Sequence, residues 1–167
     1  MSHEKLEIRS ARPEDVPAIV SLIRALAAYE KLEDECHADE ESLRTHLFGP
    51  HPRIEVILAE MAGDIVGFAL YFHNYSTFLT KPGIYLEDLF VKPEIRGAGI
   101  GRALLGRLAE IAVERGCGRL EWAVLDWNTP AIGFYERLGA KPMSDWTVFR
   151  LTGDALYKLG AGTLPGR

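Results

Sequence analysis

The chain has 167 residues, 47% of them hydrophobic, and a formal net charge of −5. That length and apolar content suffice for one sizeable core and argue against disorder. The acidic balance argues against a nucleic-acid or anionic-membrane surface, both of which need concentrated Lys and Arg, and leaves cationic partners as the better fit. Only two cysteines occur, Cys36 and Cys117, without paired spacing, so a reducing cytoplasm is the expected setting. No apolar run approaches the roughly 20 residues of a membrane span, and Met1 to Ser10 lacks the apolar region of a secretory signal.

In chain order, the first predicted strand is Leu6 to Arg9. Pro13, Glu14 and Asp15 follow as a first helical turn, where proline is tolerated and carboxylates meet the positive end of the helix dipole. Val16, Ile19, Val20, Ile23, Leu26 and Ala27 then recur at helical spacing. The acidic stretch EKLEDECHADEE, from Glu30 to Glu41, leads into a short second helix ending near Phe48 and Gly49. IEVILAEM and DIVGFALYF read as a hairpin turning at Ala62, Gly63 and Asp64. A loop is expected around His73 to Pro82, then a strand in IYLEDLFV and a helix from Gly99 to Arg115. Arg119 to Leu125 reads as a strand. Thr129 to Leu138 reads as a helix with Pro130 at its first position and Gly139 past its end, and Thr147 to Leu151 as the last strand. No internal repeat or linker interrupts the pattern before a Gly-rich tail over 160–167. One mixed α/β domain with its core from about 6 to 159 is the expected organisation.

The stretch RGAGIG, Arg96 to Gly101, lies between a predicted strand and a predicted helix. A helix start exposes unpaired N–H groups and a partial positive charge, and glycines let a ligand approach the backbone, so the stretch is an expected phosphate site. Gly97, Gly99 and Gly101 are spaced G-x-G-x-G, with Arg102 where a dinucleotide fingerprint needs its third glycine, and no Gly-Lys-Ser/Thr of a nucleoside-triphosphate loop occurs. The five histidines, His3, His37, His46, His51 and His73, show no metal-ligand spacing, so no metal is expected. Neither cysteine has the neighbours of a nucleophile.

The pattern Arg-x-x-Gly-x-Gly over Arg96, Gly97, Ala98, Gly99, Ile100 and Gly101 resembles the pyrophosphate-binding motif of the GCN5-related N-acetyltransferase (GNAT) superfamily. A second stretch, N-x-x-A-x-x-F-Y-x-x-x-G-A from Asn128 to Ala140, resembles that family's second signature. Within the superfamily, AAYEKLE, YLEDLFV, RGAGIG, WN-x-P and FY-x-R-x-GA resemble the spermidine/spermine (diamine) N-acetyltransferases and their thialysine-acetylating relatives. The resemblance runs from Ile8 to about Leu159.

It implies a largely antiparallel mixed sheet flanked by helices. It also implies direct acetyl transfer from acetyl-CoA to a primary amine in a ternary complex, and a homodimer. Gly97 to Arg102 would hold the pyrophosphate, and the backbone of Leu89, Phe90 and Val91 would pair with the peptide-like pantetheine arm. Asn128 is either a partner of the pantetheine amides or a helix cap. Glu87 matches the family glutamate proposed to take the amine proton, against the plainer alternative of a solvent-facing residue at the sheet surface. Tyr135 matches the tyrosine that donates a proton to the coenzyme thiolate, against the plainer alternative of a core aromatic beside Phe134.

Tyr29 and Glu30 match acceptor contacts, and Glu121, Trp122 and Ala123 lie on the strand expected to face them. Asp145 stands in for the amine-binding acid in KPMSDWTVF, a segment shorter than in the polyamine enzymes. The acceptor is expected to be a polyamine, a diamine or a lysine-like molecule. A protein lysine, an antibiotic amine, or acetyl-CoA binding without turnover remain the rivals.

Overall fold

The computed structural model describes residues 5–163. These fall into two compact units that divide between Ala123 and Val124.

The first unit holds a five-stranded sheet in the order β1-β2-β3-β4-β5, with β1 Leu6–Ser10, β2 Glu55–Met61, β3 Asp64–Ser76, β4 Lys81–Val91 and β5 Leu120–Trp122. The first four strands pair antiparallel; β5 joins β4 in parallel, as a strand reached through a crossover helix can. That helix is α3, Ile100–Glu114. On the other face lie α1, Val16–Glu30, and α2, Glu40–Phe48, the latter capped by Asp39, whose carboxylate accepts from the Ser42 N–H at 2.8 Å.

Strand alternation sorts the core. Val56, Leu58, Phe68, Leu70 and Phe90 pack with Val16, Ile19, Val20, Leu22 and Leu26 of α1 and Leu43 and Leu47 of α2. Residues on the opposite face, such as Ile57, Ala69 and Ile84, are also fully buried, where α3 covers the sheet with Ile100, Leu104 and Leu108. Each such side chain contributes about 1.5–3 kcal/mol of burial. At the sheet edge Arg9 binds both Asp15 oxygens, at 2.8 and 3.0 Å, and Glu60 at 2.8 Å, tying β1 to the turn before α1.

Several expectations change. Pro13–Asp15 is a separate 3-10 turn, and the α-helix begins at Val16. The loop expected over His73 to Pro82 is mostly strand: β3 runs to Ser76 and pairs with a β4 that starts at Lys81, with Thr80 taking φ 52° at the turn. The strand expected from Arg119 to Leu125 shortens to Leu120–Trp122, because its partner β4 leaves the ladder after Leu86.

In the second unit, the helix read from the sequence is α4, Thr129–Arg137. It ends with the N–H groups of Gly139 and Ala140 on the carbonyls of Glu136 and Tyr135, Gly139 taking φ 92°. A further helix, α5 Gly153–Gly160, occupies the stretch between the last expected strand and the expected tail, where no element is expected; the tail, 160–167, is described as far as Thr163, and its remainder, 164–167, lies outside the described residues. Thr147 to Leu151 is not a strand. A strand exists only through a ladder partner, and the described residues of this unit contain no other strand to supply one.

Candidate functional site

In the first unit, the irregularity of β4 shapes the site. Leu70 pairs with Asp88 and Tyr71 with Leu86, so Glu87 is an inserted residue facing no partner on β3. The bulge resets the alternation: Glu87 turns out to solvent and Asp88 turns in, on the side of Phe90. The parallel ladder to β5 ends at Leu86, so beyond it β4 has a ladder partner only on its β3 side among the described residues. Leu89 and Val91 are half-buried and Phe90 fully so; the side chains serve the core while the backbone on the β5 side has left the ladder.

After β4 the chain makes a 3-10 turn, Pro93–Ile95, and enters the glycine loop. Gly97 and Gly99 take φ 90° and 77°, conformations that favour glycine. A Cβ built on Gly97, Gly99 or Gly101 would meet nothing within 4 Å, so the loop borders open space. Gly99 is the N-cap of α3 and offers no side chain to its first N–H groups, while Ile100, 2% exposed, anchors the helix in the core. Ala98 and Arg102 are exposed on this loop. The arrangement is an open cradle of backbone donors at the positive end of a 15-residue helix, which suits a pyrophosphate.

Three carboxylates gather near the bulge. Burial, then the neighbouring charges of Glu87 and Glu30, push Asp88 up to about 6; burial also raises Glu30 at the end of α1. Sequence reading did not single out Asp88. The available signal was the pair Glu87-Asp88 itself: in a strand, adjacent residues face opposite sides, so one of two adjacent acids must turn inward.

Asp88→Asn follows as a stability test. A folded-state pKa near 6 against about 3.8 unfolded means that folding favours the protonated carboxyl. The cost of the ionised form grows as pH rises past 3.8 and is complete above 6. Removing it should stabilise the fold by about 3 kcal/mol at pH 8 and by well under 1 kcal/mol at pH 4. Thermal melts of both proteins across that range read the gap, and a gap independent of pH would show that Asp88 does not titrate this way.

Of the other expected residues, Tyr29 lies under the Arg96 guanidinium, whose carbon is 4.5 Å from the ring centroid. The Glu121 carboxylate is engaged by Arg119 Nε at 2.8 Å and Asn74 Nδ2 at 3.1 Å. Trp122 pairs with Leu86 in the parallel ladder.

In the second unit, Asn128 caps α4: its Oδ1 accepts from the Ala131 N–H at 3.4 Å and its backbone carbonyl from the Ile132 N–H at 3.1 Å. Tyr135 stands on α4 with its ring 5.5 Å from that of Phe134. Asp145 lies in a turn closed by Trp146 N–H to Met143 O at 3.1 Å.

The chain is similar to known proteins over most of its length. The acetyltransferase (GNAT) family model matches residues 20–140. Thialysine N-epsilon-acetyltransferase of Bos taurus is 42% identical over 163 residues, covering 91% of this chain and 95% of that protein. An L-ornithine N5-acetyltransferase of Arabidopsis thaliana is 36% identical over 197 residues, covering 91% of this chain and 86% of its own. Among solved structures, an integron cassette protein from the mobile metagenome of V. cholerae aligns with a TM-score of 0.79 at 31% identity, over 93% of this chain and 97% of that one. This chain belongs to the GNAT family of acetyltransferases and is an N-acetyltransferase. No helix among the described residues is long and apolar enough to cross a membrane.

Proposed function

We propose that the chain transfers the acetyl group of acetyl-CoA to the primary amine of a small lysine-like or diamine acceptor, directly and within a ternary complex. The observation that carries this reading is the glycine cradle, open to solvent at the start of α3, following a β4 that has left its ladder with β5. Gly97 to Arg102 would hold the pyrophosphate. The backbone of Leu89 to Val91 would pair with the pantetheine arm, aligning it as a strand aligns a peptide. The coenzyme supplies an acetyl group activated as a thioester.

An acceptor amine with the ordinary lysine pKa is neutral about once in 10³ at pH 7, a handicap of roughly 4 to 5 kcal/mol that a nearby base removes. Glu87 and Asp88, adjacent on the bulge, take that role: Glu87 reaches solvent and the incoming amine, and Asp88, titrating near 6, holds a proton close to working pH. Tyr135 would return a proton to the departing sulfur, a role taken from its place in the second motif. Asn128, already the cap of α4, would add a contact to the pantetheine amides. Tyr29, Glu30 and Trp122 would line the acceptor's path, with Glu121 held by Arg119 and Asn74; for Asp145 the amine-binding role rests on its place in the sequence. The lysine-like choice is supported by relatives named for thialysine and ornithine. A homodimer and a cytoplasmic location complete the reading.

The test is a thiol-release assay with acetyl-CoA and a panel of thialysine, lysine, ornithine, putrescine, spermidine and spermine. Release with one of the amino acids or diamines is the expected result. Release with peptides alone would assign a protein acceptor, and coenzyme binding without release on any amine would make the chain a sensor.

A further inference from the structure

The side chain that opens the glycine loop makes contacts outside that loop. Arg96 lays its guanidinium 4.5 Å from the Tyr29 ring centroid and 5.5 Å from that of Phe90, and its Nε donates to the Val91 carbonyl at 3.1 Å. One planar cation therefore touches two elements: the end of β4, through Val91 and the core aromatic Phe90, which is 3% exposed, and the last turn of α1. Cation–ring contacts of this kind are attractive and directional.

The turn it touches is strained. Helix α1 closes through Lys31 at φ 60° and ψ 39°, with Lys31 N–H on Ala28 O at 3.1 Å and Leu32 N–H on Ala27 O at 2.9 Å. That is the left-handed cap usually given to glycine, here forced on a lysine. A helix end closed at such a cost is prone to open unless something outside it holds the last turn, and Tyr29 is the residue of that turn on which Arg96 stacks.

We propose that Arg96 is a positioning residue that ties the Tyr29-Glu30 turn to the coenzyme loop, so that filling the cradle also fixes the acceptor wall. This rests on the function proposed above. Its consequence is mutual: whatever factor the coenzyme adds to acceptor affinity, the acceptor adds to coenzyme affinity. Arg96 precedes Gly97 directly, so any fixing of the loop by a bound pyrophosphate reaches the guanidinium through one peptide unit. A ligand of the phosphates alone would leave α1 indifferent to coenzyme.

Amide hydrogen exchange tests the tie without need of an acceptor. Coenzyme A added to the wild-type chain should slow exchange at the loop, Gly97 to Arg102, and also at Lys31 and Leu32. In Arg96→Ala the latter two amides should exchange about tenfold faster and stop responding to coenzyme A, with Arg96→Lys in between because an ammonium cannot lie flat on two rings. Tyr29→Leu should behave like Arg96→Ala, and the double variant no worse than either.

With the best amine of the panel, both variants should raise acceptor KM about tenfold, more than they raise the coenzyme dissociation constant. Protection of the loop without protection of Lys31 and Leu32 overturns the tie. So does an Arg96→Ala effect confined to coenzyme affinity. No protection of the loop at all overturns instead the proposed coenzyme site.

Discussion

Tyr135→Phe should lower acetyl turnover by about 10² or more and leave coenzyme affinity nearly intact. The substitution removes one oxygen and keeps the ring, so its packing against Phe134 persists, as do the Asn128 cap and the Gly139 end of α4. What it removes is the phenolic hydroxyl, the group that would give its proton to the departing thiolate. A thiolate is a tolerable leaving group even without a proton donor, which is why the expected loss is about two orders of magnitude and not four. Calorimetry with coenzyme A checks affinity, and thiol release checks turnover. Unchanged turnover would take Tyr135 out of the chemistry and return it to packing.

What the sequence made readable follows from the range of the forces involved. The helices α1 and α3 are long runs whose apolar residues repeat at 3.6, and that period alone defines the buried face. The RGAGIG cradle was readable for a local reason: glycines between a strand and a helix let a ligand approach the unpaired N–H groups of a helix start, and Gly97 and Gly99 take the left-handed backbone that favours glycine. The β3–β4 hairpin was not readable, because the left-handed position of its turn is taken by Thr80, not by the glycine or asparagine that announces such turns.

Register was the other hidden quantity. Glu87 drew attention as a charge in an apolar run, yet whether it or Asp88 faces inward depends on the residue count against β3, and the bulge is visible only once Leu70 is paired with Asp88 and Tyr71 with Leu86. The stack of Arg96 on Tyr29 joins residues 67 positions apart and has no local signature. The same holds for Thr147 to Leu151, whose β-branched and aromatic residues resemble a strand although a ladder requires a second strand that composition alone cannot supply.

Gly99→Asp should abolish coenzyme binding, with a loss of 10³ or more in affinity, while leaving the fold standing. Space is not the obstacle, since a Cβ at this position meets nothing within 4 Å. The backbone strain of φ 77° is modest for aspartate, which tolerates the left-handed region better than most residues. Its carboxylate would even serve the fold, because Gly99 is the N-cap of α3 and provides no side-chain acceptor to the helix's first N–H groups. The same carboxylate would take the donors that a pyrophosphate needs and add a like charge beside it. Two unit charges 4 Å apart at an effective dielectric of about 20 repel by roughly 4 kcal/mol, or close to 10³ in a binding constant.

Gly99→Asn separates the two effects, having the same shape and cap without the charge. It should bind coenzyme about tenfold more weakly than wild type, and the remaining gap to aspartate should narrow as salt is raised. Equal losses in both variants would assign the defect to shape. Full affinity in both would remove the start of α3 from coenzyme binding and leave the retreat of β5 from β4 without a ligand to explain it.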